Sequence, residues 1–472
     1  MSFDSSAYLV FFVLVLAVYW TIPQRFQNYF LILASFFFYG FVHPWFLLPF
    51  FATTLIDYFV ANRIECATTG RRKLVVISVC ANLGLLAIFK YFHFFLENTA
   101  AVLDLLHIHV PMPVLRIILP AGISFYTFQS IGYVVDVYRG HVRACRHLRD
   151  YALFVAFFPQ LVAGPIQRAG DLLAQIQRPR RLQPAAAYDA AFLLLWGFFK
   201  KLVIADNVAV IADKVFALRS PSFPILWTGV LAFAIQIYTD FSGYTDIARA
   251  CARLLGFEIT RNFNHPYLAN SPSDFWRRWH ISLSTWIRDY LYIPLGGSRI
   301  SGCREILNIF IVFFLVGLWH GAAWNFVLWG VYYAVLTMLY RVAARLFPQT
   351  WSHIPGSNVL CVLVMFIFTN IGWLIFREHD IAQLGRDLIL SPTAAPATDW
   401  FVARYLAAIV FLYSLPLGFH LWWDIARKNN AGAKERWLPW IALAQSGVAI
   451  LLFFGILVLR SDAPGEFIYF QF

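Results

Sequence analysis

The segment Ser271–Arg299, SPSDFWRRWHISLSTWIRDYLYIPLGGSR, is the most polar long stretch in a chain that is otherwise strongly apolar. It places aspartates, arginines and His280 between two hydrophobic regions. Ionisable groups are costly inside a bilayer and usually mark a functional site. Shortly after it comes LVGLWHGAAWN, residues 315–325, in which His320 interrupts an apolar run. We therefore interpret the two histidines as the centre of the protein and the rest of the chain as the structure that holds them.

The composition around this stretch predicts a membrane protein. The 472-residue chain is 60% hydrophobic and 13% charged, whereas soluble domains are about 45–50% apolar and about 25% charged. A helix needs about twenty apolar residues to cross the hydrocarbon core. We expect an all-α polytopic fold with about 11–12 transmembrane helices, in a single membrane domain over residues 1–472. The predicted helices cover residues 7–22, 26–41, 45–62, 74–97, 114–138, 185–217, 225–254, 305–319, 323–346, 357–377, 402–424 and 437–460.

Three segments do not fit simple membrane spans. Residues 150–170 are apolar but contain Pro159, Gly164 and Pro165, residues 171–184 are polar and basic, and residues 261–300 are aromatic and charged. Broken backbone at membrane depth persists only where protein or water covers its polar groups. We predict re-entrant or interfacial segments that line a cavity.

The net charge of +12 comes from basic residues in short loops between apolar runs. This distribution indicates that the basic residues set the membrane topology and contact anionic lipid, and it argues against nucleic-acid binding. With the N-terminus outside, the predicted helices place all four basic clusters (71–73, 139–149, 341–345 and 427–436) in the cytoplasm.

The six cysteines are scattered, without a CxxC pair or Cys/His metal spacing, so we expect no disulfide framework and no metal site.

The polar stretch itself has the signals of a helix. Ser271 can cap it, Pro272 suits its first position, and Asp274 lies within ion-pair reach of Arg277 and Arg278. The helix is predicted to continue until Pro294. On spacing alone, an interfacial amphipathic helix with a Trp/Arg belt explains it as well as a functional site does.

Other polar groups lie within apolar runs. A neutral His320 can act as a general base, because the ordinary pKa of a histidine side chain lies near physiological pH; the alternative is a buried histidine bonded to a backbone carbonyl. Lys200 and Lys201 are expected to extend to the membrane interface, and phosphate binding is the alternative hypothesis. We interpret Asp240 and Asp246 as polar groups that pack between helices, or as partners for Arg277, Arg278 or His280.

These motifs together resemble the membrane-bound O-acyltransferase (MBOAT) family. The resemblance rests on SDFWRRWHISLSTWIRDYLYIPLGG and VGLWHGAAWNFVLWG, supported by residues 120–140, 157–168, 197–207 and 240–259. It is greatest to the bacterial branch that acetylates extracellular polysaccharides such as alginate. It covers about residues 30–380, and nothing is transferred to residues 381–472. The family implies tilted helices around a central outer funnel and inner tunnel.

The resemblance implies a membrane O-acetyltransferase in the bacterial inner membrane. His320 takes the catalytic position and His280 that of the second histidine. Acetyl-CoA is the expected donor from the cytoplasm, with no permanently bound cofactor. The acetyl group would pass to a periplasmic SGNH/GDSL-like acetyltransferase partner of the polysaccharide synthesis machinery, or directly to a glycan. The candidates for binding the donor or substrate are Arg277, Arg278, Trp279, Ser284, Arg288, Trp319 and Asn325.

Two other functions remain open from the sequence. One is an acetyl or small-molecule transporter without chemistry of its own, and the other is a membrane scaffold for a surface acetyltransferase. D-Alanyl transfer is a sister activity within the resemblance. The sequence does not identify the polymer that is acetylated.

Overall fold

The chain folds into helices joined by short irregular segments. The computed structural model describes residues 1–108, 118–162, 164–299, 302–346, 356–429, 434–462 and 465–470, and these contain no strand. In the first half of the chain the helices are α1 Ser6–Thr21, α2 Gln24–Gly40, α3 Leu47–Cys66, α4 Arg71–Leu86, α5 Phe92–Leu105, α6 Ile123–Arg139, α7 Leu148–Ala156, α8 Phe158–Leu161, α9 Ala169–Ile176, α10 Pro184–Phe198, α11 Asp206–Phe216 and α12 Phe223–Leu254. The later ones are α13 Pro272–Arg278, α14 Ile281–Ile287, α15 Cys303–His320, α16 Trp324–Leu346, α17 Ser357–Arg377, α18 Ile381–Leu388, α19 Ala397–Asn429 and α20 Lys434–Leu459.

Several of these helices have the length and composition of membrane spans. Within the described ranges there are seven: Pro44–Cys66, Arg71–Leu105, Phe223–Leu254, Cys303–His320, Trp324–Leu346, Ser357–Arg377 and Ala397–Ala426. The predicted all-α polytopic membrane fold is therefore confirmed. The count of about 11–12 crossings, the outward N-terminus and the core at residues 30–380 stay predictions. Residues 114–117 of the predicted helix 114–138 and residues 430–433 of the fourth basic cluster lie outside the described residues.

Helix α12 lies at the centre of the fold. It packs against α10, α11 and α19, and 78% of its most apolar window is buried. Two glycines allow its close approach to α10, because a Cβ on Gly197 would lie 2.9 Å from the carbonyl oxygen of Gly243. Small residues at such crossings are typical of membrane helix packing.

The predicted irregular segment 150–170 is broken as expected. Helix α7 ends at Ala156, α8 is a single turn, and residues 164–167 are buried without helical structure. Protein groups satisfy the freed backbone: Ser35 Oγ accepts from the Phe158 N–H at 3.2 Å, and Ser282 Oγ accepts from the Ile166 N–H at 3.0 Å. These contacts meet the requirement for irregular backbone at membrane depth.

Lys200 and Lys201 are buried in the turn between α10 and α11, so the prediction that they extend to the interface is wrong. Lys200 Nζ lies 2.6 Å from Asp246, and Lys201 Nζ lies 2.8 Å from Asp206 and 3.0 Å from Asp240. The aspartates of α12 are thus helix-packing groups, with lysines of the adjacent turn as partners instead of residues of the polar stretch. A buried ammonium needs such pairing, because charge is costly to desolvate.

Candidate active site

The polar stretch is interrupted at residue 280 instead of forming the one continuous helix that was predicted. Its helical structure does end close to Pro294, because the π-helical turn Arg288–Tyr292 continues α14. Its start is confirmed, because the Ser271 side chain accepts from the Asp274 N–H at 3.3 Å. The helix then breaks at His280, which adopts a left-handed conformation with φ of +43°. Such a conformation is uncommon for a residue other than glycine and is found preferentially at functional sites.

Hydrogen bonds from the preceding segment hold the break in place. The Asn264 N–H donates to the Arg278 carbonyl at 3.0 Å, and the Ile281 N–H donates to the Asn262 carbonyl at 2.9 Å. The Asn262 side-chain oxygen also accepts from the Ser282 N–H at 3.2 Å. The backbone groups that a continuous helix would pair within itself are here bonded to another segment, which stabilises the strained conformation.

The two candidate histidines meet around one tryptophan. The ring centroids of Trp319 and His320 are 4.9 Å apart, and those of Trp319 and His280 are 5.8 Å apart. His320 is 5% exposed and His280 is 1% exposed. The edges of Trp329 and Phe376 enclose His320 at 4.9 Å and 5.2 Å between ring centroids. The fold therefore brings residues 280 and 320 into one buried aromatic cluster.

Polar atoms in this cluster lack partners within the described part of the chain. His280 Nε2, Trp319 Nε1 and His320 Nδ1 are all buried without a hydrogen bond. His280 Nδ1 accepts from the Leu283 N–H at 3.4 Å, so the neutral ring carries its proton on the unpartnered Nε2. Buried polar groups are nearly always paired, and exceptions frequently belong to functional sites.

His320 borders a small cavity of about 160 Å³. Its other lining residues include Lys90, Gly122, Ser124, Phe125, Trp319 and Tyr469. A larger cavity of about 420 Å³ lies along the same helix, where Val312 and Val316 of α15 form part of its wall. Its polar lining includes Arg277, Ser284, Thr285, Arg288 and Arg341. Val316 and Trp319 are three residues apart on α15, so the two cavities are separated by about one helical turn.

The profile of the membrane-bound O-acyltransferase family matches residues 141–376. The chain belongs to this family. It is 37% identical to the probable alginate O-acetylase AlgI of Azotobacter vinelandii over the whole of both chains. It is 39% identical to that of Pseudomonas aeruginosa, over 81% of this chain and 73% of the relative. It is 35% identical to the peptidoglycan O-acetyltransferase of Helicobacter pylori, over 75% of this chain and 72% of the relative.

Nine site residues were predicted from the sequence, and the structure places them in three groups. His280, Trp319 and His320 form the aromatic cluster, and Arg277, Ser284 and Arg288 line the larger cavity. Arg278, Trp279 and Asn325 line neither of the two cavities.

The remaining contacts explain this placement. Arg278 Nε lies 2.9 Å from Asp274, as predicted, and the Trp279 ring stacks on Phe275 at 5.6 Å between centroids. Asn325 is buried and donates from its side-chain nitrogen to the Phe376 carbonyl at 2.8 Å. These contacts give Arg278, Trp279 and Asn325 structural partners, and the functional roles of all nine residues stay predictions.

Two residues that hold the end of α15 were missed in the sequence. Lys90 Nζ donates to the carbonyls of Trp319 and His320 at 2.6 Å and 3.0 Å, and the Tyr91 hydroxyl donates to the Leu318 carbonyl at 2.8 Å. Both donors lie in the π-helical turn Ala87–Tyr91, which joins α4 to α5. A lysine in an otherwise apolar predicted span was the available signal, since intramembrane charge marks function.

The chain also returns to the site through its C-terminal segment. The ring centroid of Tyr469 lies 5.8 Å from that of His320 and 6.3 Å from that of His280. The segment is held by the Ile468 N–H, which donates to Asp240 at 2.7 Å. No site residue was predicted within residues 381–472, because no spacing connects Tyr469 with histidines so far away in the chain.

Replacing Lys90 with methionine is expected to slow acyl transfer about ten- to a hundredfold while the protein remains in the membrane. Hydrogen bonds from a charged donor contribute about 1.5–3 kcal/mol each, and a cation also stabilises a helix C-terminus. The measurement is the transfer rate of purified Lys90→Met, Lys90→Arg and the exposed control Lys73→Met. Partial recovery in Lys90→Arg and no change in Lys73→Met are expected. A normal rate in Lys90→Met would contradict the role.

Proposed function

We propose that this MBOAT protein is an O-acetyltransferase of the bacterial inner membrane that acetylates an extracellular or periplasmic polysaccharide. Acetyl-CoA is its cytoplasmic donor, and His320 is its general base. The main support is the meeting of His280, Trp319 and His320, which have unpartnered polar atoms, beside a cavity that Trp319 and His320 line. The similarity to AlgI proteins and to a peptidoglycan O-acetyltransferase supports acetyl as the transferred group.

The proposed chemistry needs one base and at least one hydrogen-bond donor. The acceptor hydroxyl gives its proton to His320, and its oxygen forms a bond to the acetyl carbonyl carbon. The carbon–sulfur bond then breaks, and the leaving thiolate takes the proton from the imidazolium. The neutral form of the imidazole is the one that can accept this proton.

The oxyanion that develops during this step needs N–H donors. Trp319 Nε1 and His280 Nε2 carry hydrogen atoms, are buried, and have no partner within the described residues. Preorganised donors of this kind stabilise developing charge in a site that excludes water. Asn325 is the weaker candidate, because its side-chain nitrogen already donates to a backbone carbonyl.

The larger cavity is the proposed binding site for the polar end of the donor. Arg277, Arg288 and Arg341 line this cavity, and arginine suits phosphate through paired hydrogen bonds. The acetyl group would reach His320 past the wall formed by Val316 of α15. Release would occur on the outer face, to a polysaccharide or to an SGNH/GDSL-like acetyltransferase partner.

The experiment that tests this function uses purified protein in liposomes. Acetyl-CoA labelled in its acetyl group is supplied on one face, and polysaccharide with an SGNH-type acetyltransferase is supplied on the other. We expect label on the polysaccharide and stoichiometric release of free CoA. Passage of intact acetyl compounds without thioester cleavage would instead indicate a transporter, and transfer only from a D-alanyl carrier would indicate the sister activity. Full acetylation of polymer without thioester cleavage by this protein would indicate a scaffold.

A further inference from the structure

A third cavity, of about 470 Å³, lies between α12, α19 and the segment that precedes α13. Its wall includes His265, His420 and Asp424. None of these three residues lines either of the cavities assigned to acyl transfer. Two imidazoles and a carboxylate that border one cavity form a set of donors that needs its own explanation.

The three side chains have the spacing of metal ligands. His265 Nε2 lies 3.1 Å and His420 Nδ1 lies 3.9 Å from the same carboxylate oxygen of Asp424. All three ligand atoms lie within 4.8 Å of one another. A tetrahedral ion bound at about 2.0–2.1 Å separates its ligand atoms by about 3.3–3.4 Å. Small side-chain adjustments would bring the three atoms to that arrangement.

The local structure positions each ligand. His420 and Asp424 are four residues apart on α19, so they share one helix face. The Trp196 ring stacks on His420 at 4.8 Å with an interplanar angle of 11°. His265 has a φ of +48° and directly precedes the turn Pro266–Leu268. The donors thus come from two backbone segments and have restricted orientations, while the cavity leaves space for water or another ligand.

The surrounding charges indicate which class of ion fits. Lys200 and Arg249 also line this cavity and both pair with Asp246, at 2.6 Å and 3.1 Å. A site with nearby cations and one carboxylate suits Ca²⁺ and Mg²⁺ poorly, since these ions need several oxygen ligands. Imidazole nitrogen with one carboxylate is instead a ligand set for zinc and similar transition metals.

We propose that His265, His420 and Asp424 form a binding site for a divalent transition metal of the zinc class, with the fourth position open to the cavity. The spacing argument that predicted no metal site does not detect it, because the ligands come from distant parts of the chain. The proposal does not depend on the proposed acetyl transfer.

Such an ion would join helix α19 to the segment that supports the candidate active site. Asn262 and Asn264, adjacent to His265 in the chain, make the backbone hydrogen bonds that hold the break at His280. A metal at His265 would therefore stiffen the support of the second histidine. The metal would therefore have a structural role. Its binding can be measured separately from the activity of the enzyme.

The test uses the full-length chain without a histidine tag, purified in detergent and stripped of metal with a chelator. After equilibration with Zn²⁺ and gel filtration, elemental analysis should find one equivalent per chain. Co²⁺ should give the visible absorption of a four-coordinate site. His265→Gln, His420→Gln and Asp424→Asn should each weaken binding at least about tenfold, a loss that even outer partners of a metal can cause. The control is His141→Gln, whose side chain is 63% exposed, and it should bind normally.

Two results would overturn the proposal. One is that the metal-stripped protein fails to bind one equivalent of Zn²⁺. The cluster would then be only a histidine–aspartate hydrogen bond with a second histidine beside it. The other is that a variant with all three substitutions binds Zn²⁺ as well as the native chain does, which would place the metal on other residues. Acetyl transfer measured on the same samples separates failure of the metal site from failure of the proposed enzymatic function.

Discussion

His320→Ala is expected to remain in the membrane but to lose acetyl transfer by about 10²–10⁴-fold, the usual contribution of a general base. The imidazole borders the small cavity, and its ring centroid lies 4.9 Å from that of Trp319, where the acceptor hydroxyl and the thioester are proposed to meet. We expect the loss in kcat with little change in KM for acetyl-CoA, because the donor's polar end is proposed to bind in the other cavity. The measurement is label transfer from acetyl-CoA in liposomes.

The variant His320→Gln and the exposed control His141→Ala make this result interpretable. Glutamine fills most of the space beneath Trp329 but is not a base, so it should be as inactive as alanine while unfolding at nearly the normal temperature. His141→Ala should keep full activity. Normal acetylation in either His320 variant, at equal protein abundance, would reject this residue as the base and favour the scaffold alternative.

The positions of the long helices could be predicted from the sequence. The apolar runs predicted as helices over 225–254 and 357–377 correspond to Phe223–Leu254 and Ser357–Arg377. Hydropathy works here because a spanning helix must satisfy its own backbone and cover it with apolar side chains. Irregular structure over 150–170 could also be predicted, since proline and glycine interrupt the apolar pattern there.

The break at His280 could not be predicted from local signals. The Ser271 cap and the following helical spacing favour a continuous helix, and nothing at His280 itself indicates a left-handed residue. The determining interactions are backbone hydrogen bonds from Asn262 and Asn264, which only the tertiary structure reveals. Tertiary contacts of this kind commonly override local propensity.

Only part of the candidate site was predicted, because some of its residues come together only in the tertiary structure. The family resemblance indicated both histidines, and Trp319 was a further candidate; the structure groups all three. Lys90 had a detectable signal as a charge in an apolar run. Tyr469 had none, because a pattern of local residues cannot show that the C-terminal segment folds back beside His320.

Lys201→Met is expected to destabilise the fold by about 3–5 kcal/mol, the cost of leaving a buried charge without its partner. The ammonium lies within 3.0 Å of both Asp206 and Asp240, and it also donates to the Gly465 carbonyl at 2.8 Å. Methionine keeps most of the length of the side chain but leaves two buried carboxylates to repel each other. The variant should therefore also loosen the C-terminal segment that brings Tyr469 to His320.

Thermal unfolding in detergent measures the first effect, and hydrogen exchange measures the second. The amide of Ile468, which donates to Asp240, should exchange faster in Lys201→Met than in the native chain, because local opening exposes it to water. Lys214→Met is the matched control, since this exposed lysine lies on the adjoining helix α11. Unchanged unfolding temperature and exchange in Lys201→Met would mean that apolar packing alone holds the segment. The buried lysine would then be dispensable for placing Tyr469 in the site.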